Sequence, residues 1–395
     1  MSKTSDIIAE YDQFVLKTYT RNPMAAVRGE GSWIWDAEGK KYLDFFPGWG
    51  VSSLGHCHPR VIAAVREQAG RLLHMPNNFY NELQGRLAGV IVEKAFPGKV
   101  FFANSGAEAN EGAIKLARRF GEADGRFEIL TMKASFHGRT LATVTATGQE
   151  KYHAGFGPLP PGFRHLPFND IDALKKAIGG RTVAVMLELV QGEGGVHPAD
   201  PAYVRELREI CDANQLLMIV DEVQTGMGRT GNYFAFQHYG VEPDLMSLAK
   251  ALAGGLPIGA LVVKDSLSGF LPPGTHASTF GGSPLVCAAA LAVFAAMAEE
   301  KILENVRFMG DYLRKKLDRL QAEFAMIKEV RGLGLMLGME CDREGKPVVD
   351  ACLGKGLIIN CTAGNVLRLM PACNIQRPEI DLAVEIIGGV LREQG

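Results

Sequence analysis

Short apolar runs alternate with amphipathic stretches through the middle of the chain. Residues 99–103, 127–132, 182–188, 216–221, 244–249 and 258–263 are apolar enough and short enough to predict strands. Between them, 106–120, 171–177 and 203–214 carry apolar residues at helical spacing and predict helices. This βαβ rhythm predicts an α/β fold with a mostly parallel central sheet and helices on both faces. The pattern changes after Pro284. Two long helices at 285–300 and 302–323 lead into shorter strands at 334–340 and 366–370. Near the N-terminus, 33–43 reads as a small hairpin with a turn at Gly39. The expected division is a large unit, 61–283, and a smaller α+β unit made of 1–60 and 284–395. Residues 148–169, rich in Gly, Pro and aromatics, read as a long loop of the kind found at functional or interface positions.

Composition narrows the field without naming a function. The 395 residues carry a net charge of −2, so no global field recruits nucleic acid or an anionic membrane. Any anion site must be local. The N-terminal ten residues contain acids and no apolar core, unlike a secretory signal. The longest uncharged apolar run, 284–298, is shorter than the roughly 20 residues of a spanning helix and reads as a buried helix. The 7 cysteines are scattered and none has CxxC spacing, which fits reduced thiols in the cytoplasm. His56-Cys57-His58 has no second ligand group at suitable spacing, so a loop role is expected and no metal.

Five segments can carry chemistry. Asn104-Ser105-Gly106-Ala107-Glu108 joins a strand to a helix. It reads either as an anion site at a helix N-terminus or as a plain capping box, and the residues alone do not separate the two. Phe136-His137-Gly138-Arg139 offers a ring that can stack, a glycine for close approach and a guanidinium suited to a carboxylate. Glu188 and Glu193 flank flexible glycines. Asp221 ends the most apolar strand, where an ionised carboxylate needs a partner: a cationic ring nitrogen, a backbone N–H or an arginine. Lys250 follows in Ala249-Lys250-Ala251-Leu252-Ala253-Gly254-Gly255. Pyridoxal phosphate needs both a lysine for its aldehyde and a carboxylate against its ring nitrogen. Gly332-Leu333-Gly334-Leu335-Met336-Leu337-Gly338 lacks the spacing of a dinucleotide loop and reads as a closely packed strand.

Together these segments resemble the class III pyridoxal phosphate aminotransferases over nearly the whole chain. The resemblance rests on Leu54-Gly55-His56-Cys57-His58-Pro59, Asn104–Asn110, Ser135–Thr140, Glu188–Gly195, Asp221–Gly231, Ser247–Ala260 and Ser278-Thr279-Phe280-Gly281-Gly282. It implies the fold-type I architecture and an obligate homodimer with a shared site. It also implies pyridoxal 5′-phosphate as cofactor and specific roles for residues. Lys250 forms the Schiff base and moves protons. Asp221 keeps the pyridine nitrogen protonated. Phe136 and Val223 enclose the ring, Gln224 bonds its phenolic oxygen, and Glu188 belongs to the same shell. Ser105, Gly106 and Ala107 hold the phosphate, joined by Thr279 from the other subunit. Arg139 and Arg368 receive carboxylates, with Ser278 nearby, and Glu193 masks Arg368 through a glycine-hinged movement.

The branch most resembled moves the terminal amine of N-acetylornithine to 2-oxoglutarate, giving glutamate. Ornithine, 4-aminobutyrate, succinylornithine or an acylated lysine are alternative donors within the class. From other classes, a non-catalytic binder would not need both Lys250 and Asp221. A nicotinamide dehydrogenase would need a glycine fingerprint after its first strand, which is missing here.

Overall fold

The computed structural model describes residues 3–394. Helix α1 (Lys3–Phe14) leads into strands β1 (Ala26–Glu30), β2 (Trp33–Asp36) and β3 (Lys41–Asp44), followed by helices α2 (Pro59–Ala69) and α3 (Glu82–Lys94). The middle of the chain alternates β4 (Gly98–Ala103), α4 (Gly106–Phe120), β5 (Glu128–Met132), α5 (Leu141–Ala146), β6 (Phe163–Leu166), α6 (Ile171–Ala177) and β7 (Thr182–Leu187). After the short pair β8 (Val190–Gln191) and β9 (His197–Pro198) come α7 (Pro201–Ala213), β10 (Leu217–Asp221), β11 (Leu245–Leu248) and β12 (Gly259–Lys264). The last part holds α8 (Pro284–Glu299), α9 (Ile302–Glu323), β13 (Ile327–Leu333), β14 (Met336–Cys341) and α10 (Lys346–Gly354). It ends with β15 (Leu357–Ile358), β16 (Asn360–Thr362), β17 (Val366–Leu369) and α11 (Arg377–Gln394).

The predicted apolar runs form one seven-stranded sheet in the order β4-β12-β11-β10-β7-β5-β6. From β11 through β6 every neighbouring pair is parallel, and only β12 runs against its neighbours. Strands β7 and β10 are buried at every position. Such two-sided burial belongs to a parallel sheet covered by helices on both faces, and it explains why these runs are continuously apolar rather than alternating. On one face α4 packs Ala113, Ile114, Leu116 and Ala117 against Ile129, Val183, Ile219 and Leu261. The opposite face joins the larger core, which continues through α8 into the C-terminal elements.

The 284–298 run is α8, buried through Val286, Cys287, Ala289, Ala290, Ala292 and Val293. A helix apolar all round is an interior helix, and no described helix is long and apolar enough to cross a membrane. The hairpin predicted at 33–43 is β2–β3, and β3 also pairs parallel with β15, so the two ends of the chain share one sheet. The glycine pattern at 332–338 departs from the single strand expected. It is the β13–β14 hairpin, with Gly334 at φ 55° in its turn, where a Cβ would lie 2.7 Å from the carbonyl carbon of Thr230. The supposed loop 148–169 contains β6 at the sheet edge.

Candidate active site

A cavity of about 490 Å³ opens beyond the carboxyl ends of the parallel strands, where α/β sheets place their ligands. Each of its chemical groups follows a strand directly. Ser105 follows β4, Phe136 follows β5, Glu188 follows β7, Asp221 ends β10 and Lys250 follows β11. Gly106, Ala107, Arg139, Glu193, Val223 and Gln224 complete the wall.

Ser105 caps α4. Its hydroxyl accepts from the Glu108 amide at 3.2 Å, and the Glu108 carboxylate takes the Asn104 amide at 2.8 Å. The serine cap therefore exists, with Glu108 reaching back to the Asn104 amide rather than closing a reciprocal box on Ser105, and it does not displace the anion reading. The amides of Gly106 and Ala107 open the first helical turn, which has no intrahelical acceptors to offer them. The wall here is bare main chain by necessity: a Cβ on Gly106 would sit 2.8 Å from Val223, and one on Gly138 (φ 138°) 2.6 Å from the Thr143 hydroxyl.

Asp221 is 4% exposed and held from three directions. Its Oδ1 accepts from the Val223 amide at 3.0 Å, and its Oδ2 accepts from the Asn110 side-chain amide and meets His137 Nδ1, both at 2.8 Å. Asn110 also donates to the His137 carbonyl at 2.8 Å. His137 and Asn110 stand in the sequence motifs, but nothing there assigns them this role. The one available signal was a polar residue on the buried face of an amphipathic helix. Glu188 accepts from the amides of Phe136 at 2.9 Å and Gly192 at 3.3 Å. Burial pushes its carboxyl up to about 7, and the charge of Asp221 adds to the rise.

Lys250 adopts φ 45°, an uncommon conformation for a residue with a side chain. Burial pushes its pKa below the ordinary lysine value, although the charges of Glu193 and Asp221 pull the other way. A neutral amine is the nucleophilic form.

Arg368, on β17, lies behind this wall and is fully buried. Its Nη1 donates to Glu193 Oε1 at 2.7 Å and to Gln224 Oε1 at 3.1 Å, while Asn360 Oδ1 takes Nε at 3.1 Å and Nη2 at 2.8 Å. Burial alone would raise the Glu193 carboxyl, but the charge and hydrogen bond of Arg368 hold it below the ordinary value. Arg139 sits at the open side, its guanidinium carbon 3.8 Å from the centroid of the Tyr152 ring and 5.2 Å from that of Phe136. Tyr152 is a second contact that the sequence did not disclose.

One expectation is corrected. The glycines around Glu193 do not form a free hinge. A Cβ on Gly194 would meet the Ala134 carbonyl oxygen at 2.5 Å, and one on Gly192 would meet Gln224. The loop main chain is also tied: Thr362 Oγ1 donates to the Glu193 carbonyl at 2.6 Å, and Arg331 donates twice to the Gly195 carbonyl at 2.8 and 3.0 Å. Close packing on backbone accounts for Gly194, and Gly195 sits at φ 113°, a conformation that favours glycine. Ser278 lies outside the cavity of its own chain, its hydroxyl accepting from the Asn104 side-chain amide and the Gly281 amide. Thr279 is exposed and outside the cavity of its own chain. The His56-Cys57-His58 loop spends its imidazoles on hydrogen bonds with the carboxylates of Asp44 and Glu300.

The class-III aminotransferase family model matches residues 15–391, and the chain belongs to that family. It is 52% identical to the acetylornithine aminotransferase of Caldanaerobacter subterraneus subsp. tengcongensis, over 96% of this chain and 98% of that one. It is 48% identical to the acetylornithine aminotransferase of Methanocaldococcus jannaschii, over 96% of each. Among solved structures, the ornithine aminotransferase of Toxoplasma gondii ME49 superposes with a TM-score of 0.96 at 34% identity, covering 100% of this chain and 96% of that one. The acetylornithine aminotransferase of Elizabethkingia anophelis gives 0.89 at 31% identity, with 100% of both chains covered.

Proposed function

We propose that the chain is a pyridoxal 5′-phosphate-dependent transaminase that moves the δ-amine of N-acetylornithine to 2-oxoglutarate, giving N-acetylglutamate semialdehyde and glutamate. The observation that carries this reading is the convergence of the Lys250 amine, the Asp221 carboxylate and the α4 N-terminus on one cavity. These residues fit the coenzyme. The cavity has the size of a small-molecule site, a bare helix N-terminus suits a phosphate, and Asp221 has room for a cationic ring nitrogen beside its three donors. When bound, the coenzyme supplies an electron sink for charge that develops at the substrate carbon.

The chain's residues do the rest. Lys250 would hold the coenzyme through its amine and, once displaced by the amine of the donor, would carry the proton removed from the donor's δ-carbon. Asp221 keeps the ring nitrogen protonated, and His137 and Asn110 fix its orientation. Phe136 and Val223 confine the ring. Gln224 donates to the phenolic oxygen, and Glu188 orders the segment that carries Phe136. The Gly106 and Ala107 amides grip the phosphate with Ser105, and Thr279 of the partner subunit completes the grip. Arg139 takes the distal carboxylate of either substrate. Arg368, released by a side-chain turn of Glu193, takes the carboxylate next to the carbonyl of 2-oxoglutarate.

The surface as well as the site supports a homodimer. Phe79 (59% exposed), Tyr80 (105%) and Phe280 (62%) lie on segments tied together by hydrogen bonds from Asn77 to the carbonyls of Ser278 and Gly281. An apolar patch of this kind marks an interface, and it adjoins Thr279. In this reading 61–283 is the coenzyme-binding unit and 1–60 with 284–395 the smaller one. The thiols are unpaired among the described residues, which fits work in the cytoplasm.

Ornithine is the second donor to weigh, because the T. gondii ornithine aminotransferase superposes so closely. The higher identity to acetylornithine aminotransferases favours the acylated donor. Single-turnover reaction of the holoenzyme with N-acetylornithine, ornithine, 4-aminobutyrate and succinylornithine decides. N-acetylornithine should react with the highest kcat/KM. A higher value for free ornithine overturns the assignment.

A further inference from the structure

Arg368 is a cation buried without exposure, and a buried charge is costly unless paired. Its partners divide unequally. Glu193 is its only ion-pair partner among the described residues, at 2.7 Å. Asn360, directly opposite it on β16, accepts from both Nε and Nη2 through one oxygen. Phe46 lies under the guanidinium, its ring centroid 4.9 Å from Cζ. A guanidinium has five N–H donors. Asn360 occupies the Nε–Nη2 edge, so Nη1, which Glu193 shares with the neutral Gln224 Oε1, is where one carboxylate replaces another once Glu193 leaves.

We propose that Asn360 is the positioning residue that lets Arg368 exchange carboxylates: a neutral clamp that fixes one edge of the guanidinium and adds no charge of its own. The inference rests on the transaminase reading, in which Arg368 meets Glu193 in one half-reaction and a substrate carboxylate in the other. In each state one carboxylate balances one guanidinium. A neutral acceptor at position 360 preserves that one-to-one balance. It also supplies what a swinging ion pair cannot, a fixed plane for the guanidinium while its anion changes. The clamp belongs to the pair's fixed side. Asn360 and Arg368 are cross-strand neighbours in one ladder, whereas Glu193 comes from a loop after β8.

Asn360→Asp is nearly isosteric and tests the charge alone. The aspartate would be a permanent counter-ion, so an incoming carboxylate would meet a guanidinium already neutralised. Two readouts on the holoenzyme are needed: affinity for glutarate, an unreactive dicarboxylate, by calorimetry, and separate single-turnover rates for the amine-donor and 2-oxoglutarate halves. N360D should weaken glutarate about tenfold or more and lower the 2-oxoglutarate rate relative to the donor rate by a similar factor. Asn360→Ala, which removes the clamp without adding charge, should weaken glutarate by about threefold. Wild-type glutarate affinity in N360D overturns the proposal, and so do equal losses in both half-reactions. If N360D does not fold, unchanged affinity in N360A overturns it. Failure of N-acetylornithine as donor would sink the donor assignment alone, because the glutarate comparison does not depend on the donor.

Discussion

Glu222, next in sequence to Asp221, is 1% exposed and lies outside the cavity wall. Its carboxylate accepts from Thr225 Oγ1 and from the Phe236 amide at 2.8 Å, which pins the turn that carries Val223 and Gln224. Burial still raises its carboxyl from the ordinary 4.5 to about 7. The folded chain therefore binds this proton more tightly than the unfolded chain. The resulting stabilisation is complete below about pH 4.5 and is lost as pH climbs through about 7. Glu222→Gln keeps the shape and an oxygen for the Phe236 amide, turns the other oxygen into a donor for which Thr225 Oγ1 can accept, and removes the charge. Its melting temperature at pH 8 should exceed that of the wild type by about 2–4 °C, and the gap should close towards pH 4.5. A gap independent of pH would contradict the buried-proton account. Asp221 makes the contrast. It is buried almost as deeply, but two side-chain donors and an amide converge on its carboxylate.

At the scale of elements, legibility followed the strength of the local pattern. Strands β7 and β10 were readable because burial on both faces demands unbroken apolar runs, and α4 and α9 because a long amphipathic period leaves little choice. Strand β6 was hidden: four residues at a sheet edge, inside a stretch rich in Gly and Pro, carry too short a period to stand out. The Glu193 loop shows a different kind of failure. Its glycines suggested freedom, but the reason for them lies in atoms distant in sequence, the Ala134 carbonyl and the Gln224 side chain. Contacts made by folding cannot be read from neighbours along the chain. The same holds for the site. Lys250 and Asp221 were legible because the chemistry demands their residue types. His137, Asn110, Tyr152 and Asn360 act through other residues, and their types demand nothing.

At the scale of the whole molecule, the proposed function makes the site incomplete in one chain. Thr279 lies outside the cavity of its own chain, beside an exposed apolar patch, and the proposal assigns it to the phosphate of the partner subunit. Hybrid dimers test this. A Lys250→Ala protomer paired with a Thr279→Ala protomer should contain one site with both lesions and one with neither. Activity should therefore rise above that of either parent, towards half the wild-type value per dimer. Hybrids shown to form but no more active than the parents would contradict a shared site.

The central claim is that Lys250 holds the coenzyme covalently in the cavity it shares with Asp221. Borohydride reduction of the holoenzyme, followed by peptide mass mapping, tests it most directly. The account predicts that the protein's visible absorbance is bleached and that one phosphopyridoxyl group is fixed per chain, on Lys250. A label on any other lysine, or none after reduction of coenzyme-saturated protein, would contradict it.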